Sequence, residues 1–442
     1  MMKREKKTVR EFDRISCNEK FEPHISQEAF NELKAFIYAF SGDEEHADAM
    51  QFLKPSGRTG VGETITVSKY VGVIQTKRCQ LEVLPKIDFS PEEQDGDSRQ
   101  TKRVFLRMLR SLKSFNSKVF NEADLMMGRM PLYEVFIRMY LLEVQALVKR
   151  GLKSAYVVRE DNLKFFKGKL MVNEQIKMNN AHGERFFVRY DEYLLDRAEN
   201  RLIKSTLLKL MRHSESADNQ REIRQLLTAF EMVQPSLNYP KDFSKVVIDR
   251  STRDYERLMR WTRVFLFNNS FTTFSGEDDA KALLFPMDKL FESYVAQQLK
   301  TALLRSGLNW RVSTQDKGKY LFDDPERFAL RPDIVLTRPD SIVILDTKWK
   351  KLTDNPKKNY NISQADMYQM YAYAKKYVTN DIWLLYPLNS EMREREKNGK
   401  PEICYKSSDG VQVRLFFVDV ANIEKSLEEL IKRIDQIGLS KV

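Results

Sequence analysis

Cysteine is nearly absent from this chain. Cys17, Cys79 and Cys404 are the only three among 442 residues. They are scattered, odd in number and form no Cys-x-x-Cys pair, so neither a disulfide framework nor a cysteine zinc site is expected. A reducing compartment, the cytoplasm, is the expected home. Histidine is as sparse: His24, His46, His182 and His213 lack metal-ligand spacing and are expected at the surface or in the core rather than in catalysis. No apolar run of the ~18 residues that a membrane span needs occurs. The opening Met1-Met2-Lys3-Arg4-Glu5-Lys6-Lys7 leads into no apolar segment, so neither secretion nor membrane insertion is expected. Internal repeats and low-complexity segments are absent as well.

A nucleotide-binding loop is also missing. Gly57-Arg58-Thr59-Gly60-Val61-Gly62-Glu63-Thr64 has the glycine spacing of a P-loop, but Glu63 stands where the phosphate-binding lysine is required. Its carboxylate would repel a nucleotide. The following Ile65-Thr66-Val67 reads as strand, whereas a P-loop opens a helix whose first amides bind phosphate. The chain is expected to have no NTPase of its own, and this segment to be a flexible glycine hairpin or loop.

What the chain has is positive charge, +11 with a pI near 9.2. Such a balance suits a phosphate backbone as partner, although a merely basic soluble protein would carry the same charge.

Its chemistry is concentrated in one stretch. Arg331-Pro332-Asp333-Ile334-Val335-Leu336 and Ile342-Val343-Ile344-Leu345-Asp346-Thr347-Lys348 are apolar, β-branched runs separated by the turn-prone Arg338-Pro339-Asp340-Ser341. With residues 339 and 340 at the tip, 338 pairs with 341 and 333 falls opposite 346. Opposed Cβ atoms in an antiparallel pair lie roughly 4.5–5.5 Å apart, and two carboxylates that close repel unless a cation lies between them. Asp333 and Asp346 are therefore expected to hold Mg²⁺, with Mn²⁺ as the alternative, helped by the backbone carbonyl of Thr347 and by waters. Strand alternation puts Lys348 on the same face as Asp346 and Thr347 on the other. The metal would activate water and polarise a phosphate, while Lys348 orients that water or stabilises transition-state charge. The competing reading is a solvated acidic hairpin, because Pro-Asp and Asp-x-Lys are each common by chance.

Neighbouring segments add to the site. Gln364 to Ala374 reads as a helix with Gln369 and Tyr373 on one face. Met287 to Val295 reads as an amphipathic helix with positions 287, 290, 291, 294 and 295 facing a core and Glu292 on the flank. Glu292 is either a third acidic ligand or an ordinary surface glutamate. Lys350, Lys351, Lys357 and Lys358, with Trp349 and Tyr360 interleaved, would supply DNA backbone contacts or form a solvated loop.

The order helix with Glu, strand with Pro-Asp, strand with Asp-x-Lys, helix with Gln-x-x-x-Tyr resembles the PD-(D/E)XK nuclease superfamily in its RecB-like form. Outside it, Tyr70-Val71-Gly72-Val73-Ile74, Leu81 to Ile87, Gly168-Lys169-Leu170, Phe187 to Glu192 and Asn200-Arg201-Leu202 look like the McrC family, over residues 60 to 390 or so. Members of that family are nuclease subunits of modified-cytosine restriction systems. The resemblance implies a DNA substrate, a modified duplex, and a partner: a McrB-like AAA+ GTPase ring that recognises modified DNA and whose hydrolysis the chain stimulates. It also suggests that the glycine loop helps the N-terminal domain enter that ring, with Arg58 as its most useful charge. Two other functions stand beside this one, a self-sufficient RecB-like repair or recombination nuclease and a non-catalytic activator of an AAA+ ring. The intact Asp333, Asp346 and Lys348 weigh against the activator, and the long non-nuclease N-terminal half weighs against the repair enzyme.

The expected architecture is a multidomain α+β and α/β chain. Residues 1–97 form an N-terminal mixed domain with a helix from Gln27 to Phe40 and strands near 64–74 and 80–87, ending in a polar linker at Ser90 to Asp97. Residues 98–280 form a mainly helical middle region with a strand patch near 156–158 and 186–190. Residues 281–442 form an α/β domain of PD-(D/E)XK type with further strands at 382–387 and 411–418 and a C-terminal amphipathic helix.

Overall fold

A computed structural model describes residues 4–39, 53–87, 98–112, 130–250, 252–267 and 281–439. The chain forms two compact units, one from both ends, Met1–Asn116 with Leu283–Val442, and one from the middle, Ser117–Ala282. The three segments expected from sequence are thereby regrouped: the first and third share a unit. The polar run at 90–97 lies outside the described residues.

The N-terminal part contains β1 (Glu5–Arg10), β2 (Arg14–Ser16), α1 (Gln27–Ala39), β3 (Leu53–Arg58), β4 (Gly62–Val67), β5 (Tyr70–Gln75), β6 (Cys79–Leu84) and α2 (Ser98–Ser111). β6 is buried along its whole length, between β1, which runs parallel to it, and antiparallel β5. A second sheet has the order β2-β4-β3. Its β3–β4 hairpin pairs Arg58 with Gly62, and Gly60 at the tip takes φ +80°, a conformation glycine adopts without cost. The glycine segment is thus the hairpin expected, followed by strand rather than helix. Glu63 forms an ion pair with Lys34 at 2.7 Å.

The middle unit comprises α3 (Leu132–Arg150), β7 (Ala155–Leu163), β8 (Lys169–Leu170), α4 (Val172–Asn179), β9 (Phe186–Leu194), α5 (Ala198–His213), α6 (Ala217–Ala229), α7 (Tyr239–Phe243) and α8 (Arg253–Phe267). It is mainly helical, and the expected strand patch is a sheet of order β7-β9-β8. Leu194 closes β9, where Tyr193 and Leu194 pair with Tyr156 and Ala155.

The chain then forms β10 (Lys281–Pro286), α9 (Met287–Ser306), β11 (Arg311–Thr314), β12 (Lys319–Asp323), β13 (Glu326–Leu330), β14 (Ile334–Arg338), β15 (Ser341–Thr347), α10 (Gln364–Tyr377), β16 (Asp381–Pro387), α11 (Ser390–Lys397), β17 (Cys404–Lys406), β18 (Gln412–Val418) and α12 (Ile423–Leu439). β10 joins the N-terminal sheet beside β5, giving the order β1-β6-β5-β10. At that junction a side chain on Gly72 would place its Cβ 1.9 Å from the Leu283 carbonyl oxygen, so only glycine admits the close approach. This long-range pairing joins the two ends of the chain within one unit, as does the packing of α2 on α9. The main sheet has the order β11-β14-β15-β16-β18-β17, with β15, β16 and β18 parallel. Their unbroken apolar runs fit strands covered on both faces. Met370, Tyr373, Ala374 and Tyr377 of α10 pack with Ile344, Ile382, Leu384 and Val413 on one side. Among the described residues no helix is long and apolar enough to cross a membrane.

Candidate active site

The β14–β15 hairpin sets the geometry. Pairing runs from Arg338 with Ser341 to Ile334 with Leu345, so Asp333 falls opposite Asp346 one step beyond the ladder, in the expected register. Asp346 is 2% exposed. Burial, then the charge of Asp333, raises its pKa to about 7, against the opposing pull of Lys348. Lys348 Nζ forms an ion pair with Asp346 Oδ2 at 2.6 Å. Burial works against the charge of Lys348, yet the carboxylates of Asp346, Asp366 and Asp333 together outweigh it and the pKa is raised. The ammonium is held charged.

Lys348 also donates to Gln369 Oε1 at 3.1 Å, and Gln369 Nε2 donates to the Tyr373 hydroxyl at 2.7 Å. The helix pair expected from sequence therefore meets the lysine. Tyr373 is 1% exposed, so it orients Gln369 rather than facing a substrate. Thr347 lies on the other face from Asp346, yet its backbone N–H and Oγ1 both donate to Asp333 Oδ2, at 2.8 and 2.6 Å.

Glu292 is at the site and mostly buried, not an ordinary surface residue. Burial and then the charge of Asp333 raise its pKa, against Lys289. One of its oxygens accepts from Gln315 Nε2, which also lies 3.3 Å from Asp333 Oδ1, and the other meets Lys289 at 3.0 Å. Gln315 was not foreseen. It follows β11, takes a left-handed φ of +51° and donates its backbone N–H to the Asp333 carbonyl at 3.0 Å. No short motif marks such a residue; only the fold brings it to Asp333.

Among the described residues no three His, Cys, Asp or Glu side chains gather closely enough to hold a metal by themselves. The opposed pair Asp333 and Asp346 fits a hard divalent cation nonetheless. Burial and the charge of Asp333 raise the proton affinity of Asp346, a penalty on its ionised form that a cation between the two would offset, and a Mg²⁺ ion draws much of its coordination from water.

Residues 65–387 match the sequence pattern of the McrBC 5-methylcytosine restriction system component. The chain belongs to that family. A curated relative, the type IV methyl-directed restriction enzyme EcoKMcrBC of Escherichia coli strain K12, is 24% identical over 262 residues, covering 56% of this chain and 71% of the relative. The fold is similar to that of a chain in the refined half-complex from a tetradecameric assembly of Thermococcus gammatolerans McrB AAA+ hexamers with bound McrC. The TM-score is 0.67 at 20% identity, over 97% of this chain and 100% of that one.

Within this McrBC family member, the basic cluster is less uniform than its sequence suggests. Lys350 forms an ion pair with Asp366 at 2.7 Å, so its charge is already matched. Lys351, Lys357 and Lys358 are exposed. Trp349 is not interleaved on the surface: it is 8% exposed and donates its indole N–H to Glu11. Tyr360 lies beneath the Arg395 guanidinium. Arg58, on the glycine hairpin, lies 5.9 Å over the ring of Phe21.

Proposed function

We propose that this chain is the DNA-cleaving subunit of a modified-cytosine restriction complex, an endonuclease of PD-(D/E)XK type that uses Mg²⁺ and works with a separate McrB-like AAA+ GTPase ring. The observation that carries the reading is the set Asp333, Asp346, Lys348 and Gln369 around one end of the β14–β15 hairpin. Asp333 and Asp346 would hold the metal, with the Thr347 carbonyl as a further ligand. Bound there, the ion would polarise the scissile phosphate and make an attacking water more acidic. Lys348, kept charged by Asp346 and aimed by Gln369, stabilises the extra negative charge that develops on the phosphate and orients the water. Tyr373 fixes Gln369. Gln315, itself bonded to Glu292, helps hold Asp333 in place, and Lys351, Lys357 and Lys358 position the duplex through its phosphates. Family membership and the likeness to a McrB-bound fold support the two-subunit arrangement. So does Glu63, which fills the place of a P-loop lysine and is paired with Lys34.

The test is to mix the purified chain with an AAA+ protein encoded beside it and follow phosphate release and cutting of 5-methylcytosine duplexes separately. The chain alone should hydrolyse no GTP and cut little; the mixture should do both, faster than either component. GTP hydrolysis by this chain alone, or robust modification-specific cutting without a partner, contradicts the two-subunit reading.

A further inference from the structure

The segment that follows β15 is pinned residue by residue. The Lys348 backbone N–H donates to the Leu385 carbonyl at 2.9 Å, and Lys350 is tied to Asp366. Between them Trp349 turns to the opposite face, its ring 5.3 Å from that of Phe291 on α9. Its indole N–H lies 2.9 and 3.1 Å from the two carboxylate oxygens of Glu11. Glu11 is 1% exposed and takes a further bond from the Lys86 backbone N–H at 2.8 Å.

Glu11 and Lys86 follow the parallel strands β1 and β6, and the Glu11 N–H donates to the Leu84 carbonyl at 3.0 Å. The paired ends of the N-terminal sheet thus converge on one indole. Phe12, next in sequence, takes φ +67° and donates its N–H to the carbonyl of Val67, the last residue of β4. That strand belongs to the glycine hairpin. One carboxylate therefore sits where both N-terminal sheets meet the residue beside Lys348.

We propose that Glu11 is a positioning residue for the cleavage site: through the Trp349 indole it fixes where Lys348 stands and ties that position to the N-terminal sheets. The proposal rests on the nuclease reading above. Lys348 lies just past the end of β15, so its placement depends on how its neighbours are held. An apolar side chain could fill the space beside Phe291, but a carboxylate with both oxygens at the indole N–H also fixes the rotation of the ring. Small displacements of a group that meets the transition state are costly, whereas ground-state binding of DNA does not depend on it.

The experiment uses the full chain with its ring partner and a duplex carrying 5-methylcytosine. Glu11→Ala and Trp349→Phe should each slow single-turnover cleavage at saturating DNA about tenfold, with DNA affinity within about twofold of wild type. The double variant should be no slower than either single one, because both remove the same bond. Glu11→Gln, which keeps an acceptor oxygen, should recover most of the rate. Should Glu11→Ala fail to fold, Trp349→Phe keeps the ring and carries the test. A wild-type rate in either single variant, losses that multiply in the double, or a matching loss of DNA affinity overturns the proposal. A wild-type chain that does not cut overturns the nuclease reading instead. Without cutting, positioning is read by NMR: Glu11→Ala should speed exchange of the Trp349 indole proton and shift the Lys348 side-chain signal, and an unmoved Lys348 signal overturns it.

Discussion

Thr347 and Asp333 are joined twice, since the backbone N–H and the hydroxyl of Thr347 donate to the same oxygen, Asp333 Oδ2, at 2.8 and 2.6 Å. The carboxylate is thereby fixed in rotation, and its other oxygen is left toward Gln315.

From this follows the first prediction. Thr347→Val removes the hydroxyl donor while keeping shape and backbone, and should weaken divalent-cation binding by roughly 10- to 100-fold, the usual effect of losing an outer partner of a metal ligand. Thr347→Ser should bind nearly as wild type. Mn²⁺ titration measures this directly, and equal affinity in Thr347→Val would remove Thr347 from the site.

Lys348 gives the second. Lys348→Ala should lower turnover and leave DNA affinity nearly intact, because its charge matters most when the phosphate is more negative than in the ground state. Unchanged single-turnover cutting at saturating DNA would strike it from the catalytic set.

The third concerns pH. Asp346 has an ordinary carboxylate value of 3.8 and is raised to about 7 in the fold, first by burial and then by Asp333. Between those values the folded state holds a proton that the unfolded chain has lost. Without metal, the stability contributed by Asp346 is therefore greatest below about pH 4 and is lost as pH rises through about 7. A divalent cation needs the ionised form and competes with that proton. The rise in melting temperature on adding Mg²⁺ should accordingly be larger at about pH 8 than at about pH 6. Asp346→Asn should abolish the difference, and a Mg²⁺ effect independent of pH would contradict the assignment.

Much of this site is local in sequence, and that is why it can be read there. Asp333, Asp346 and Lys348 belong to one hairpin, so strand period and turn chemistry place them; Gln369 and Tyr373 share a helix face by simple spacing. Gln315 and Glu11 carry no such signature. Each reaches the site through tertiary structure: Gln315 from the end of β11, and Glu11 across 338 residues to Trp349. The same limit explains the unit boundaries, since nothing local in Tyr70 to Ile74 announces the pairing of β5 with β10 that Gly72 admits. Trp349 looks like a surface aromatic among lysines because composition reports neighbours along the chain, not across the core.

The central claim is that the opposed aspartates cut DNA. Its most direct test is Asp346→Ala in the assembled complex, with Mg²⁺-dependent cleavage of a 5-methylcytosine duplex and GTP hydrolysis followed together. Removing the buried carboxylate of Asp346, which Asp333 repels, should leave the fold and partner binding intact, so GTP hydrolysis should still be stimulated while cleavage is abolished. Full Mg²⁺-dependent cleavage by the Asp346→Ala complex would contradict the account.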